Sequence, residues 1–184
     1  MEFDSTPEQE SQFAEDDRSL THPNNSEGYF VVGTTKLILM TICTLGIYEL
    51  YWVYKNWKYI KAREQSNIMP FWRAFFAPLW VFSLGQKIKS HSAEVSTSAD
   101  FDPNVIGVAY FIISALWRLP DPFWLVCFLS FIPILTLQTV ASKINQALEV
   151  PGNKYYNFST ANYVILFFGG ILFILALVGT FMPA

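Results

Sequence analysis

"YVILFFGGILFILALVGTFMP", residues 163–183, is a run of 21 residues without a single charged side chain. A helix needs about 20 apolar residues to cross the hydrocarbon core of a bilayer. Strands of a membrane barrel would instead alternate apolar and polar residues, whereas this run is apolar on every face. Because lipid cannot satisfy backbone polar groups, the run predicts a transmembrane helix.

Four more apolar segments precede this run, at about 29–54, 69–85, 104–117 and 123–140. The first is long enough to span, and the third, at 104–117, is short for an upright span. Pro70, Arg73 and Pro78 interrupt 69–85, which favours a re-entrant or interfacial element over a clean span. Pro133 predicts a kink in 123–140.

Composition supports the same class of protein. The chain is 52% hydrophobic and only 15% charged, whereas soluble domains carry about 25% charged residues. We therefore predict an all-α, polytopic helical membrane protein with four to five apolar helical segments in a membrane domain at 29–184. The alternative, a soluble protein with a buried helical core, would have to bury the uncharged run at 163–183.

Residues 1–28 form a separate region by charge, with eight acidic residues and one base, Arg18. The region is polar and has neither a helical nor a strand period. Such a composition cannot bury enough apolar surface to offset the entropy of ordering, so it predicts a disordered acidic tail. It also lacks the basic and apolar regions of a secretory signal peptide.

The distribution of basic residues predicts an orientation, since cytoplasmic loops are enriched in Lys and Arg. If 69–85 only dips into the membrane, residues 55–103 and 141–162 lie inside together. The acidic tail, the turn after 104–117 and the carboxyl terminus then face outward. If 69–85 crosses, the basic bias nearly disappears, so the dip is favoured.

"GIYELYWVYKNWKYIKAR", residues 46–63, interleaves aromatic and basic side chains. This pattern is typical of single-stranded nucleic-acid grooves and of helices that leave a bilayer. Because the stretch continues an apolar helix, we interpret it as an interfacial anchor that contacts anionic lipid, and we expect no nucleic-acid partner. The predicted anchor residues are Tyr48, Tyr51, Trp52, Tyr54, Lys55, Trp57, Lys58, Lys61 and Arg63.

Ionisable residues at membrane depth are costly and by default indicate function. Glu49, Arg73 and Lys36 are the candidates here. On a functional interpretation, Glu49 and Arg73 form a gated pair or part of an ion or substrate path. On a structural one, Lys36 and Arg73 reach the interfaces while Glu49 neutralises a neighbouring base such as Arg73. Arg118 and Asp121 similarly predict a local ion pair in a turn.

No motif indicates catalysis, a metal or a cofactor. His22 and His91 each lie alone in polar segments, and Cys43 and Cys127 lie in apolar ones, where they are expected to be small core residues. Neither a phosphate-binding glycine loop nor a nucleophile elbow is present in the sequence. The sequence therefore predicts neither a metal nor a cofactor, and it favours a protein that is not an enzyme.

A family resemblance rests on Lys36 followed by an apolar run and then Thr-x-Gly-x-Tyr-x-x-Tyr-Trp, residues 44–52. Together with 70–84 and 118–135, this resembles a family of small bacterial inner-membrane proteins classed as a domain of unknown function. The resemblance implies a multi-pass protein of the cell inner membrane and no activity. Glu49 departs from the pattern, because those relatives often have a small residue there.

Three functions remain as expectations. The first is an accessory or scaffolding membrane protein that binds other membrane proteins or lipid. The second is a transporter or channel subunit that uses Glu49 and Arg73. The third is a membrane enzyme that acts on lipid. The first is preferred, since no catalytic cluster or inverted repeat is visible in the sequence.

Overall fold

The computed structural model describes residues 28–150 and 157–181, and all regular structure within them is helical, as predicted. The predicted disordered tail lies outside the described residues except at its last position, Gly28. Two 3₁₀ helices, Leu116–Arg118 and Phe123–Ser130, accompany the α-helices. The α-helices are α1 Thr34–Cys43, α2 Ile47–Glu64, α3 Pro70–Phe75, α4 Ala77–Glu94, α5 Pro103–Ala115, α6 Phe131–Ala147 and α7 Thr160–Phe181.

The first apolar segment, predicted as one span at 29–54, is instead two helices joined by a turn. Leu45 and Gly46 adopt left-handed φ angles of 53° and 87°, and the Gly46 amide donates to the Thr41 carbonyl at 2.8 Å. Glycine adopts this conformation without a Cβ clash. Phe30, which precedes α1, contacts Asn56 on the third turn of α2, so α1 and α2 run antiparallel.

The extended segment before α1 is held by two asparagines. Asn145 of α6 accepts from the Tyr29 amide and donates to its carbonyl, both at 2.8 Å. Asn56 of α2 does the same for Phe30, at 2.9 and 3.3 Å. Successive residues of an extended chain present their polar groups to opposite sides. The segment therefore lies between α2 and α6, with its backbone hydrogen bonds satisfied by side chains.

The carboxyl-terminal ends of α2, α4 and α6 meet around this segment. The Tyr29 ring lies 4.7 Å from that of Tyr59 on α2, and its hydroxyl lies 3.2 Å from His91 Nδ1 on α4. Ion pairs Arg63–Glu94 and Glu64–Lys87 also join α2 to α4. We call this cluster the polar end of the bundle; it comprises Tyr29, Tyr59, Arg63, Glu64, Lys87, His91, Glu94 and Asn145.

The position of Tyr29 differs from the one that a single helix at 29–54 predicts. Such a helix would place Tyr29 and residues 55–103 at its opposite ends. In the structure, Tyr29 lies against side chains of α2, α4 and α6 at the polar end. The error came from treating 29–54 as one spanning helix, whereas the turn at Gly46 returns the chain to the end from which it started.

The core lies between α2, α4 and α6. Its largest fully buried side chains include Trp52, Trp57, Leu84, Ile88, Leu137 and Ile144. Helix α5 packs closely on α4, because Gly107 has no Cβ and one placed there would overlap the Cβ of Phe82. Burial of this apolar set supplies the favourable free energy that holds the bundle together.

Two other predicted segments are also divided. Segment 69–85 becomes α3 and α4, which meet at Phe76, and Pro78 occupies the first turn of α4, where proline is tolerated. In 123–140, the 3₁₀ helix Phe123–Ser130 passes into α6, and Pro133 lies in the first turn of α6. A change of helix type thus takes the place of the predicted kink.

Two helical stretches are long and apolar enough to cross a membrane. One is Phe123–Ala147, the 3₁₀ helix and α6 together, with 25 residues, and the other is α7, Thr160–Phe181, with 22. Helix α7 has no buried residue. It meets the rest of the bundle where a Cβ on Gly169 would overlap the Cys43 carbonyl oxygen, and where Phe173 packs edge-on against Phe128 at 5.5 Å.

Replacing Asn56 by alanine would remove both hydrogen bonds that its side chain makes with the buried Phe30 backbone. We expect the free energy of unfolding to fall by about 1–3 kcal/mol, measured by chemical unfolding and circular dichroism. Gln146→Ala, an exposed amide on a helix, is the control and should change stability by less than about 0.5 kcal/mol. Equal effects of the two substitutions would contradict the role given to Asn56.

Gly169 and Gly170 provide a matched pair of tests for the contact between α7 and α1. A side chain on Gly169 meets the Cys43 backbone, whereas Gly170 has open space around it. In a Cys127→Ala background, Gly169→Val should separate the helices and raise the alkylation rate of Cys43, while Gly170→Val should not. The same rate in both variants would show that α7 does not pack against α1 at this point.

Candidate functional site

The carboxylate of Glu49 is enclosed near the start of α2. The residue is 2% exposed, and the Ser130 hydroxyl donates to it, lying 2.9 Å from both Oε1 and Oε2. The Tyr110 hydroxyl on α5 also interacts with it. Three separate elements therefore contribute to one buried polar group, which is costly unless its hydrogen bonds are made.

Arg73 does not pair with Glu49, so the predicted Glu49–Arg73 pair is wrong. Its guanidinium lies over the Trp57 ring at 4.3 Å and the Trp80 ring at 4.4 Å. Eight residues of α2 separate Glu49 from Trp57, which is about 12 Å along the helix axis. Glu49 instead accepts hydrogen bonds from hydroxyl groups, and Arg73 makes cation–π contacts with two indole rings.

Lys36 is buried near the start of α1 and is 5% exposed. Its ammonium donates to the Asn157 carbonyl at 2.8 Å and lies 5.9 Å from the Phe158 ring centre. These residues precede α7. The side chain therefore connects α1 to the chain that enters α7, an attachment that the sequence did not predict.

The predicted anchor at 46–63 is divided between core and surface. Tyr48, Trp52 and Trp57 are buried, so they are not part of an exposed belt. The exposed members are Tyr51, Lys58, Lys61 and Arg63, and the half-buried ones are Tyr54 and Lys55.

Sequence reasoning missed the exposed aromatic side chains around α3. Phe71, Trp72, Phe75 and Phe76 are each at least 46% exposed, and their rings contact one another. We call these four residues the aromatic surface. The signal was present as "PFWRAFF" at 70–76, where aromatic side chains surround one arginine.

Arg118 and Asp121 do not form the predicted turn pair. No ion pair joins them in the described part of the chain, where the salt bridges are Arg63–Glu94 and Lys87–Glu64. Arg118 lies instead over the ring of its neighbour Trp117, at 5.5 Å. The residues of the turn are exposed, and its arginine contacts an aromatic side chain and not a carboxylate.

His91 is buried against Tyr29 at the polar end, although the sequence placed it alone in a polar segment. Burial, reinforced by the nearby Arg63, lowers the pKa of His91, and burial raises the pKa of Tyr29 far above its ordinary value. The Tyr29 hydroxyl therefore keeps its proton, and it lies within hydrogen-bond distance of Nδ1 of the neutral His91, at 3.2 Å.

Among residues 28–150 and 157–181, no group of three or more Cys, His, Asp or Glu side chains could hold a metal ion. Cys43 and Cys127 are both free thiols. The absence of metal and cofactor expected from the sequence stays a prediction. The groups that the structure offers for chemistry are the enclosed Glu49, the stacked Arg73 and the Tyr29–His91 pair.

Comparison with models of protein families, with curated proteins and with solved structures finds no match to this chain. The resemblance to a family of small bacterial inner-membrane proteins stays a prediction, and no residue role is taken from it. The assignment of function rests on the geometry described above.

The lowered pKa of His91 predicts a pH dependence of stability. The unfolded chain binds a proton near the ordinary value of 6.5, where folded His91 stays neutral. The free energy of unfolding should be constant above this pH and fall as the pH drops from 7 towards 5. Urea unfolding measures this slope.

His91→Asn should flatten that slope, whereas His22→Asn should leave it as it is. His22, outside the described residues, is the matched control because it is the other histidine in the chain. If the slope survived His91→Asn and disappeared with His22→Asn, His22 would be the titrating residue and the prediction for His91 would be wrong.

Proposed function

We propose that this chain is a multi-span integral membrane protein with an accessory or scaffolding role, binding lipid and other membrane proteins through α7. The observation that carries this proposal is the uncovered surface of α7. Phe167, Phe168, Leu172 and Leu175 are each about 60% exposed or more, and α7 has no buried residue. In water such a surface would be a large apolar patch, whereas lipid or a partner helix covers it.

If α7 crosses the bilayer, its contacts with the other helices indicate how deep those helices lie in the membrane. Cys43 contacts Gly169, close to the middle of the 22 residues of α7. If α7 crosses the bilayer, the turn at Gly46 lies within the hydrocarbon core, and α1 and α2 form a re-entrant hairpin. The turn supplies backbone hydrogen bonds of its own there, from the Gly46 amide to the Thr41 carbonyl and from the Ile47 amide to the Thr44 carbonyl, which lipid could not supply.

This geometry supports a particular orientation. Gly28, residues 55–103 and residues 141–150 lie on one side, and the turn at 118–122 and Phe181 at the end of α7 lie on the other. The side with the polar end carries most of the basic residues, which favours the cytoplasm. Acidic residues of the tail have little influence on orientation. A bacterial inner membrane follows only from the sequence resemblance.

An accessory role is preferred because the buried polar groups serve packing. Asn56 and Asn145 satisfy backbone, and Glu49 is closed in by Ser130 and Tyr110. A lipid-acting enzyme has no supporting observation of its own. Binding through α7 requires no chemistry from the protein, only an exposed helix of spanning length.

A transporter or channel subunit is the second candidate, and the interruption at Gly46 favours it. Broken helices near the middle of a membrane build the substrate sites of many transporters, and Glu49 lies beside this break in α2. Ion flux in proteoliposomes that disappears with Glu49→Gln would establish this function. Equal flux in wild type and Glu49→Gln would exclude Glu49 from it.

The proposal predicts that α7 contacts membrane components directly. Photoreactive side chains in place of Phe168 and Leu175 should give adducts with lipid or with discrete proteins in native membranes. The same group at Ser90, exposed on the polar end of α4, should give far fewer, because water surrounds it. Mass spectrometry of the adducts identifies them.

Alkaline carbonate extraction is the accompanying measurement, and the chain should remain in the membrane pellet. Release into the supernatant, or equal adduct yields at Leu175 and Ser90, would contradict an integral membrane protein that acts through α7.

A further inference from the structure

We propose that Arg73, between Trp57 and Trp80, binds the phosphate of an anionic phospholipid at the surface of the bilayer. This inference rests on the proposed membrane location and names the lipid class and the residue that would bind it. It differs from the predicted role of Arg73 as a partner of Glu49, which the geometry excludes.

The stacked guanidinium retains its hydrogen-bonding capacity. Its Cζ lies 4.3 Å from the ring centre of Trp57 and 4.4 Å from that of Trp80, and aromatic rings contact the five N–H donors of an arginine without supplying the oxygen acceptors that a phosphate offers. An arginine fixed in this way loses little side-chain entropy on binding, and its edge matches the two oxygens of a phosphate.

No carboxylate neutralises Arg73 among the residues that the structure describes. Glu64 is the acidic residue that acts on it electrostatically, but the carboxylate of Glu64 accepts from Lys87 at 2.9 Å. Arg73 therefore carries a positive charge without an anionic partner. An external anion would complete the pair.

The surroundings favour a lipid phosphate over a phosphate in solution. Arg73 lies among the four exposed rings of the aromatic surface, and aromatic side chains concentrate at the level of lipid headgroups. The adjacent turns of α2 carry exposed Lys58 and Lys61, which attract an anionic leaflet. A bound lipid would place its phosphate on Arg73 and its acyl chains against the exposed rings of the aromatic surface.

Native mass spectrometry of the full chain in detergent, titrated with phosphatidylglycerol, tests the proposal. Arg73→Gln should weaken binding about tenfold, the loss of one charge-assisted hydrogen bond. Arg118→Gln is the matched control, because Arg118 also lies over a tryptophan but at the opposite end. It should leave the affinity unchanged. Inorganic phosphate at equal concentration should not compete, and phosphatidylcholine should bind more weakly.

Equal affinities of Arg73→Gln and Arg118→Gln would overturn the proposal. Competition by inorganic phosphate would show that Arg73 binds a soluble anion and not a lipid. Equal binding of phosphatidylcholine would show that the site does not prefer anionic lipids. Either result would overturn the proposal. If Arg73→Gln fails to fold, Trp80→Leu is the second variant, and unchanged affinity there has the same consequence. Retention in the carbonate pellet with any of these results leaves the proposed membrane role intact.

Discussion

Two asparagine side chains hold the start of the described chain between α2 and α6, at the polar end of the bundle. Asn56 and Asn145 pair with the backbone of Phe30 and Tyr29 much as neighbouring strands would. An extended segment between helices makes no ladder of backbone hydrogen bonds as a strand in a sheet does, and unpaired groups there would be costly. The position of this segment sets where α1 begins, and therefore how far α1 extends before the chain turns back.

The turn at Gly46 and the contact at Gly169 follow from that starting position. Helix α1 begins beside α2 and α6 and ends level with the middle of α7. The hairpin of α1 and α2 thus spans only part of the length of α7. Glu49 lies near its tip, where Ser130 and Tyr110 enclose it. Arg73 lies about two turns of α2 farther down, level with Trp57.

Hydropathy was sufficient to predict the helical class and the length of the last helix. It could not show that 29–54 is interrupted, because the run is continuous in apolar residues and only the backbone of Leu45 and Gly46 ends the helix. Hydropathy also could not predict which side chains the charged residues contact. Glu49, Arg73 and Arg118 each contact residues distant in sequence or neutral in charge, so pairing by opposite charge failed. The asparagine pairs depend on tertiary packing and leave no periodic signal.

In the proposed re-entrant hairpin, the chain enters and leaves the bilayer through the same surface before residue 95. Single cysteines at residues 10, 95 and 121, in a background without Cys43 and Cys127, can be labelled with a membrane-impermeant reagent in oriented vesicles. The hairpin predicts that residues 10 and 95 react from one side and residue 121 from the other. Labelling of residues 10 and 95 from opposite sides would contradict the re-entrant hairpin and restore a single spanning helix at 29–54.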